Sequence, residues 1–306
     1  MPEIDPKRKE IGGSSIASVL GLSRWCTPLK TWAIMTGNIE PDDLSENEAV
    51  ELGSELEDFV AKKFERKTGM KVRRDTRTFR HKKYDYLVAH IDRRIQGTDE
   101  LLECKTCSAW KSKEWEDEEI PTEYILQCIW YLGILGMRKC YIAVLIGGQK
   151  FRWKEVDFDK ELFDTMVEKA VEFWQMVQDK TPPAAVYGDK EVLSKIYPGN
   201  PEYEVIELDA EGDAEIIPLL GEINAMKDEI KHCEKKQEEA ENKVKEFMGD
   251  AEILVTGDGD KITWKSQTRK SVDTKRLKDE GIYDKYVKEI ESRVFRVSKK
   301  KPAKDK

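Results

Sequence analysis

The fold of this chain is decided by residues 84–107, which read YDYLVAHIDRRIQGTDELLECKTC. A Gln-Gly-Thr-Asp turn signal separates two segments rich in apolar and β-branched residues, and this pattern predicts a β-hairpin. With a two-residue loop at Gly97-Thr98, Asp92 on the first strand lies directly opposite Glu103 on the second. Glu103 and Lys105 then share one face of their strand, because side chains on a strand alternate with period two.

The chemistry of these three side chains indicates a metal site. Asp92 and Glu103 carry like charges, and like charges opposite each other on paired strands are destabilising. A divalent cation between them would convert this repulsion into binding, because hard cations take carboxylate oxygens as ligands. Lys105 is placed to orient or deprotonate a water, and we expect burial and a neighbouring cation to favour its neutral amine. The arrangement is typical of a metal-dependent phosphodiesterase site.

The composition limits the classes of protein that the chain can form. Its 306 residues are enough for about two domains. It has 37% charged residues and no apolar run near the roughly 20 residues of a membrane span, so we expect no membrane association. A net charge of −8 does not favour a protein that coats nucleic acid, although a local cleft can still be basic. The first residues contain no apolar signal region, which favours a cytoplasmic protein.

The six cysteines are scattered along the chain and are expected to be free thiols. Cys104 and Cys107 have the spacing of a redox motif or half a zinc motif. No second pair of this kind accompanies them in the sequence, which favours two incidental thiols.

Hydrophobic periodicity divides the chain into a mixed α/β domain over residues 1–183, a linker over 184–208, and a helical and hairpin region over 209–306. In the last region, apolar or small residues recur every three or four positions between Asp213 and Met248. The remainder of that segment is highly charged. This pattern predicts a long coiled-coil-like helix, which needs a partner helix from this chain or another.

Polar residues at inward positions of predicted helices are further candidates. Glu57 lies on the inward stripe of a helix that a capping box at residues 45–48 starts and that runs to about Lys67. It is either a site residue or a helix-flank glutamate paired with a lysine. Gln127 and Tyr131 are one turn apart on an apolar helix and share a face. They form either the polar edge of a core helix or a hydrogen-bonding pair near a metal or a substrate phosphate.

A candidate anion site lies near the start of the chain. Gly12 and Gly13 precede Ser14 and Ser15 at a predicted helix start, and Arg8 is close in sequence. Backbone N–H groups and hydroxyls at a helix start bind anions. The alternative interpretation is an ordinary N-cap.

Taken in order, these residues resemble the core of the PD-(D/E)XK nucleases. More narrowly, they resemble the YqaJ-type viral recombinase nucleases, relatives of phage lambda exonuclease and of RecB-type nuclease domains. The likeness covers roughly residues 7–180 and implies an α/β fold with a central mixed sheet flanked by helices. The motifs that carry it are Arg8-x6-Ser15, residues 52–57 (LGSELE), His90-Ile91-Asp92, Leu102-Glu103-Cys104-Lys105 and Gln127-x3-Tyr131.

The resemblance implies roles for the acidic residues and the lysine. Asp92, Glu103 and the backbone carbonyl of Cys104 would bind Mg²⁺, for which Mn²⁺ would substitute. Glu57 would complete the metal site from its helix, and Lys105 would activate the attacking water.

The resemblance also implies roles for the remaining candidates. Gln127 and Tyr131 would position the metal-bound water or the lysine. Arg8, Ser14 and Ser15 would hold a phosphate, such as the 5′ end of a strand. The chain departs from the family in two respects: Ile91 replaces a proline that often precedes the aspartate, and the late cysteine group of iron–sulfur relatives is missing, so no cluster is implied.

The activity implied is a Mg²⁺-dependent 5′→3′ exonuclease on double-stranded DNA that leaves 3′ single-stranded tails. The tails would pass to a RecT/Bet-like single-strand annealing protein during phage-type recombination, in the cytoplasm of a bacterium or a phage-infected host. A homo-oligomer is implied as well. Two alternatives stay open: a structure-specific endonuclease with the same site, and a non-catalytic DNA-recombination interaction protein that works through the long charged helix.

Overall fold

The computed structural model of the chain describes residues 10–117, 119–199, 205–288 and 294–297. The chain divides into two compact units, Met1–Pro198 and Gly199–Lys306. Arg8, for which a phosphate-binding role was predicted, lies outside the described residues.

The strands described in the first unit are β1 (Val72–Arg74), β2 (Phe79–Arg80), β3 (Val88–Ala89), β4 (Arg93–Ile95), β5 (Glu100–Cys107), β6 (Lys139–Ile146) and β7 (Lys150–Asp157). Five of them form one sheet in the order β1-β4-β5-β6-β7. Within it β5 and β6 are parallel, and the other neighbours are antiparallel. β2 and β3 form a separate antiparallel pair. The main sheet is therefore mixed.

The helices described in this unit are α1 (Gly13–Val19), α2 (Pro28–Met35), α3 (Glu48–Thr68), α4 (Thr122–Leu135), α5 (Lys160–Gln178) and α6 (Lys190–Ile196), with a 3₁₀ segment at Ala109–Trp115. α4 lies in the connection between β5 and β6. Parallel neighbours need a crossover of this kind, because a tight turn can join only antiparallel strands.

Side chains along the central strands point alternately to the two faces of the sheet, and helices pack on both faces. Leu101 of β5 packs into the larger hydrophobic cluster, which contains residues of α1, α2, α4 and α5. Its neighbour Leu102 packs with Val60 and Phe64 of α3 in a second cluster. The fold is the predicted one, a central mixed sheet flanked by helices, and Glu103 shares the face of Leu101, on the side of α4.

The hairpin has the register that the sequence predicts. In the ladder between β4 and β5, Arg93 pairs with Leu102 and Arg94 with Leu101. The next pair outward consists of Asp92, just before β4, and Glu103. A local rule, the closure of a tight turn, therefore places the two carboxylates across from each other.

The start of α3 differs slightly from the prediction. The capping box was placed at residues 45–48, whereas the observed N-cap is Asn47, whose side chain accepts a hydrogen bond from the N–H of Ala49 at 3.1 Å. Ser45 instead lies in a turn in which its N–H bonds to Asp43 Oδ1 at 3.0 Å. The helix runs to Thr68, close to the predicted end at about Lys67, and its C-cap is Gly69, whose φ of 77° is readily adopted only by glycine.

Part of the predicted 184–208 linker belongs to the first unit. It contains α6, and the unit extends to Pro198. The segment is held by Asp189, a buried carboxylate that accepts hydrogen bonds from the Thr27 hydroxyl at 2.5 Å and from the N–H of Val186 at 2.8 Å. Composition alone does not reveal such a long-range bond.

The second unit contains one long helix and short elements. α7 (Ala210–Met248) has 39 residues, and α8 is Thr274–Asp279. The strands β8 (Ile253–Val255) and β9 (Lys261–Thr263) form an antiparallel hairpin. Several apolar side chains of α7 are exposed, including Ile217, Met226 and Ile230. None of the helices in the described ranges combines the length and apolarity that a membrane crossing needs.

All six cysteines are free thiols. Cys104 and Cys107 lie on opposite faces of β5, because they are three positions apart on a strand. Cys104 packs in the cluster that contains α3 and Cys107 against the larger one. The two thiols therefore do not face a common ligand.

Replacing Gly133 of α4 by alanine should destabilise the first unit by about 1–3 kcal/mol, the usual cost of overpacking a core. The added Cβ would collide with the buried ring of Phe163 on α5. Urea unfolding followed by circular dichroism measures the change. Gly53→Ala in α3 is the matched control, because its Cβ would lie 3.6 Å from the nearest atom, Thr106 Oγ1. Equal stability of the two variants would contradict this packing.

Candidate active site

Glu103 and Lys105 form a buried ion pair on the face of β5 that α4 covers. Lys105 Nζ lies 2.7 Å from Glu103 Oε1. Only 3% of Glu103 is exposed. A carboxylate this deeply buried needs charge compensation, and the lysine two residues along the same strand supplies it.

Gln127 joins this pair to α4. Its Nε2 donates to Glu103 Oε1 at 2.9 Å and to the Tyr131 hydroxyl at 2.8 Å, while its Oε1 accepts from Lys105 Nζ at 3.0 Å. Both Gln127 and Tyr131 are buried. Gln127 and Tyr131 thus form a hydrogen-bonded pair beside Glu103 and Lys105, and their role near a metal or a substrate phosphate stays a prediction.

Tyr131 also explains why a glycine starts α1. A Cβ on Gly13 would collide with the Tyr131 ring. The ring therefore packs directly on the backbone of α1, and this contact fixes the hydroxyl that accepts the bond from Gln127. Burial, followed by the charge of Glu103, raises the pKa of Tyr131 well above its usual value, so the phenol remains protonated.

Asp92 lies across the hairpin from this network. Its Oδ2 accepts a hydrogen bond of 2.8 Å from the backbone N–H of Cys104. Burial, followed by the charge of Glu103, raises the pKa of Asp92 to about 8. The repulsion expected from the sequence is therefore present, and without a cation one of the two carboxyls keeps its proton near neutral pH.

The ionisation of Lys105 in the metal-free structure is set by opposing effects. Burial acts to lower the pKa of this amine. However, the charge of Glu103, the hydrogen bond to it and the charge of Asp92 together outweigh burial, so the pKa of Lys105 is raised. The neutral amine was predicted for a site that holds a cation, and it stays a prediction.

Glu57 is paired with an arginine. Arg93, whose side chain is buried, makes an ion pair with Glu57 and donates to the backbone carbonyl of Asp92 at 2.9 Å. The partner expected under the alternative interpretation was a lysine. In the ranges that the structure describes, no group of three or more His, Cys, Asp or Glu side chains is arranged to hold a metal ion. Glu57 is thus not gathered with Asp92 and Glu103 into a three-carboxylate cluster.

Ser14 and Ser15 lie in the first turn of α1. The Ser15 hydroxyl donates to the carbonyl of Gly12 at 3.0 Å and accepts from the N–H of Gly12 at 3.1 Å. Ser14 is exposed. Ser15 therefore caps its own helix, as in the alternative interpretation, and a phosphate-binding role for Arg8, Ser14 and Ser15 stays a prediction.

Two residues of the site were missed by the sequence analysis. Lys105 Nζ lies 4.9 Å from the centre of the Tyr124 ring, a cation–π contact. Arg93, described above, positions Glu57. Tyr124 could have been found, because it precedes Gln127 by three residues and so lies on the same side of α4. The sequence contains no pattern that marks Arg93 as a site residue, apart from its position next to Asp92.

The donor set fits a hard divalent cation. Asp92 and Glu103 offer carboxylate oxygens, and the Cys104 carbonyl lies between Glu103 and Lys105 in the chain. Oxygen ligands of this kind suit Mg²⁺ or Mn²⁺. Asp92 and Glu103 lie across from each other on the hairpin, and burial, followed by the charge of Glu103, raises the pKa of Asp92, so a bound cation would favour its ionised form.

Comparison with known proteins identifies relatives over most of the chain. Residues 5–138 match the family described as YqaJ-like viral recombinase domain. The uncharacterized protein YqaJ of Bacillus subtilis (strain 168) is 42% identical over 298 residues, which cover 94% of this chain and 91% of that protein.

The fold resembles that of a solved nuclease. An alkaline exonuclease (LHK-Exo) from Laribacter hongkongensis superposes with a TM-score of 0.50 at 16% identity, over 57% of this chain and 90% of that one. Its complex with dAMP superposes with the same TM-score at 17% identity. At this level of identity the likeness shows a shared fold.

In the metal-free protein, the Asp92 carboxyl should titrate near pH 8. This pKa lies above the ordinary value of about 3.9, so the folded state binds more protons than the unfolded state. The free energy of unfolding should therefore fall as the pH rises from about 4 to about 8. Asp92→Asn, which cannot ionise, should remove this loss and be the more stable form above about pH 8.

Urea unfolding of both proteins in EDTA, from about pH 6 to about pH 9, measures this difference. Parallel stability profiles of parent and variant would show that Asp92 does not carry a raised pKa.

Proposed function

Because the chain belongs to the family of YqaJ-like viral recombinases, we propose that it is a Mg²⁺-dependent 5′→3′ exonuclease of double-stranded DNA. It leaves 3′ single-stranded tails for phage-type recombination. The observation that carries the proposal is the buried network of Glu103, Lys105 and Gln127, with Asp92 opposite across the hairpin.

In this proposal Asp92, Glu103 and the Cys104 carbonyl would hold Mg²⁺, and Glu57 would complete the site from α3 by exchanging its ion pair with Arg93 for the cation. Mn²⁺ would substitute for Mg²⁺, and no iron–sulfur cluster takes part. When bound, such a cation polarises the phosphoryl group and lowers the pKa of water.

Lys105 has two functions in this scheme, both set by its neighbours. As a cation it attracts the phosphate and orients water beside Glu103. Once the two carboxylates are neutralised, the amine loses the attraction that holds its proton, and burial then favours the neutral form. It can then accept a proton from the attacking water.

Gln127 and Tyr131 keep the amine in place for this transfer. Gln127 is hydrogen-bonded to both Glu103 and Lys105. Tyr131, which packs on Gly13, accepts a further hydrogen bond from Gln127. General base catalysis depends on such positioning, because the base must lie within hydrogen-bond reach of the proton. Arg8, Ser14 and Ser15 are assigned to the phosphate at the 5′ end.

The proposed polarity, partner and assembly are based on the family likeness. The substrate is the end of a DNA duplex, and the partner is a RecT/Bet-like single-strand annealing protein. LHK-Exo is described as an alkaline exonuclease and has been solved with dAMP, a deoxynucleoside monophosphate, the class of product expected here. We propose a homo-oligomer, for which the exposed apolar side chains of α7 offer contact area.

The first test is a digestion. Purified protein with Mg²⁺ should release mononucleotides from a linear duplex, leave 3′ single-stranded tails, and leave a covalently closed circle intact. A label on each 5′ and 3′ end should show that the 5′ label is released first. Cleavage of the circle would indicate an endonuclease, and cleavage of neither DNA would indicate a non-catalytic binding protein.

Lys105→Ala should lower the rate on the linear duplex by about 10²-fold or more, the usual contribution of a positioned acid or base. The matched control is Lys139→Ala. The two lysine side chains are equally shielded, 19% and 18% exposed, and each is paired with a glutamate. Comparable melting temperatures of the two variants would show that both fold. Near-parental turnover by Lys105→Ala would rule out the assignment of Lys105.

A further inference from the structure

Apolar and small side chains recur along α7 at the two heptad positions that face a partner helix in a coiled coil. With Ile223 at position a and Met226 at position d, the pattern continues over about five heptads. The residues at these positions, which we call the α7 seam, are Ile216, Leu219, Ile223, Met226, Ile230, Cys233, Gln237, Ala240, Val244 and Phe247. A repeat of this length is typical of a coiled coil, for which roughly three to four heptads are the usual minimum.

The α7 seam is open to solvent. All of its residues except Ile216 and Ile223 are exposed, among them Ile230 at 57% and Phe247 at 79%. In the part of the second unit that the structure describes, the other helical segments have six and three residues, too few to cover a seam along a helix of 39 residues. The long helices α3 and α5 already pack their apolar faces into the core of the first unit. The helix that covers the α7 seam therefore comes from another chain.

The charges beside the α7 seam change sign at the middle of the helix. Position g of the heptad holds Glu215, Glu222 and Glu229 in the first half of the helix, and Lys236 and Lys243 in the second half. Within the described ranges, none of these five side chains takes part in an ion pair. Their charges are therefore available to a partner helix, and residues at positions g and e set the choice and the orientation of such a partner.

A second copy of α7 that runs in the opposite direction matches this change of sign. In an antiparallel pair the two g rows face each other, so the acidic half of one row lies beside the basic half of the other. The two e rows match as well, because Lys227 of one helix meets the half of the other that carries Glu234 and Glu241. A parallel pair would place Glu229 beside Glu234 of the second copy at the centre of the seam, and like charges across an interface are unfavourable.

We propose that α7 pairs with α7 of a second copy of this chain as an antiparallel coiled coil. This pairing rests on the homo-oligomer of the proposed function, for which it supplies the surface and the direction of the contact. The apolar side chains of the two seams supply most of the free energy of association, because they leave water. The g rows set the direction, because complementary charges select one arrangement over another. A partner of unrelated sequence would not require that one row of α7 be acidic in one half and basic in the other.

Sedimentation equilibrium of the full chain, without DNA or metal, measures the pairing. The parent should contain an even number of chains. Ile230→Asp should halve the mass, because a charge at the centre of the seam cannot be buried without a partner. The matched control is Ile217→Asp, which should keep the mass of the parent, because Ile217 is 59% exposed on the same helix and lies outside the seam. Unchanged circular dichroism spectra would show that both variants keep their fold.

Reversal of the charges at position g tests the direction of the pair. Glu222→Lys combined with Glu229→Lys should weaken association by about tenfold or more, because attractive contacts become repulsive ones on both sides of the pair. Adding Lys236→Glu and Lys243→Glu reverses the other half of the row. In an antiparallel pair the two halves then match again, so the association of the parent should be restored. In a parallel pair the same four changes would add like-charge contacts between positions g and e, so association would weaken further.

A parent with the mass of one chain at every concentration measured would overturn the pairing. An Ile230→Asp variant with the mass of the parent would do the same and would indicate a homo-oligomer built through another surface. Failure of the four charge changes to restore association would overturn the antiparallel direction. The digestion of linear duplex separates these results from failure of the nuclease. A single-chain parent that releases mononucleotides refutes only the pairing, and a parent that pairs through α7 but cuts no DNA refutes only the nuclease.

Discussion

Repulsion between Asp92 and Glu103 is the constraint on which the candidate site depends. The hairpin register places the two carboxyls opposite each other, with Glu103 buried and Asp92 half-buried. Each therefore needs compensation: Asp92 keeps a proton and accepts the N–H of Cys104, while Glu103 accepts from Lys105 and Gln127. A hard cation would replace the proton with a stronger partner, so the metal-free arrangement is already organised for binding.

The topology explains how residues distant in sequence join this pair. The parallel pairing of β5 and β6 requires a crossover, and α4 lies in that connection and packs on the sheet face that carries Glu103 and Lys105. Gln127 therefore reaches both side chains from the core side. The close packing of Tyr131 on Gly13 extends the same network to α1. A loss of packing at α1 would weaken the hydrogen bonds of Glu103 and Lys105, because buried hydrogen-bond networks are coupled.

The opposite face of the sheet contributes in another way. Glu57 projects from α3 towards Arg93, whose guanidinium also binds the carbonyl of Asp92. Removing one member of such a shielded pair leaves a costly uncompensated charge, so the pair holds α3 against the start of β4.

The sequence by itself determined the hairpin, the position of Asp92 opposite Glu103, the shared face of Glu103 and Lys105, and the helical pairing of Gln127 with Tyr131. These follow from turn chemistry and from the two short periods of strands and helices, which involve only neighbours in the chain. Only the tertiary structure decided that Glu103 and Asp92 raise the pKa of Lys105 in the metal-free site, that Arg93 is the partner of Glu57, that Tyr124 lies beside the amine and that α6 belongs to the first unit. The reason is physical: ionisation, ion pairing and burial depend on distances between segments far apart in sequence, and those distances are set by packing.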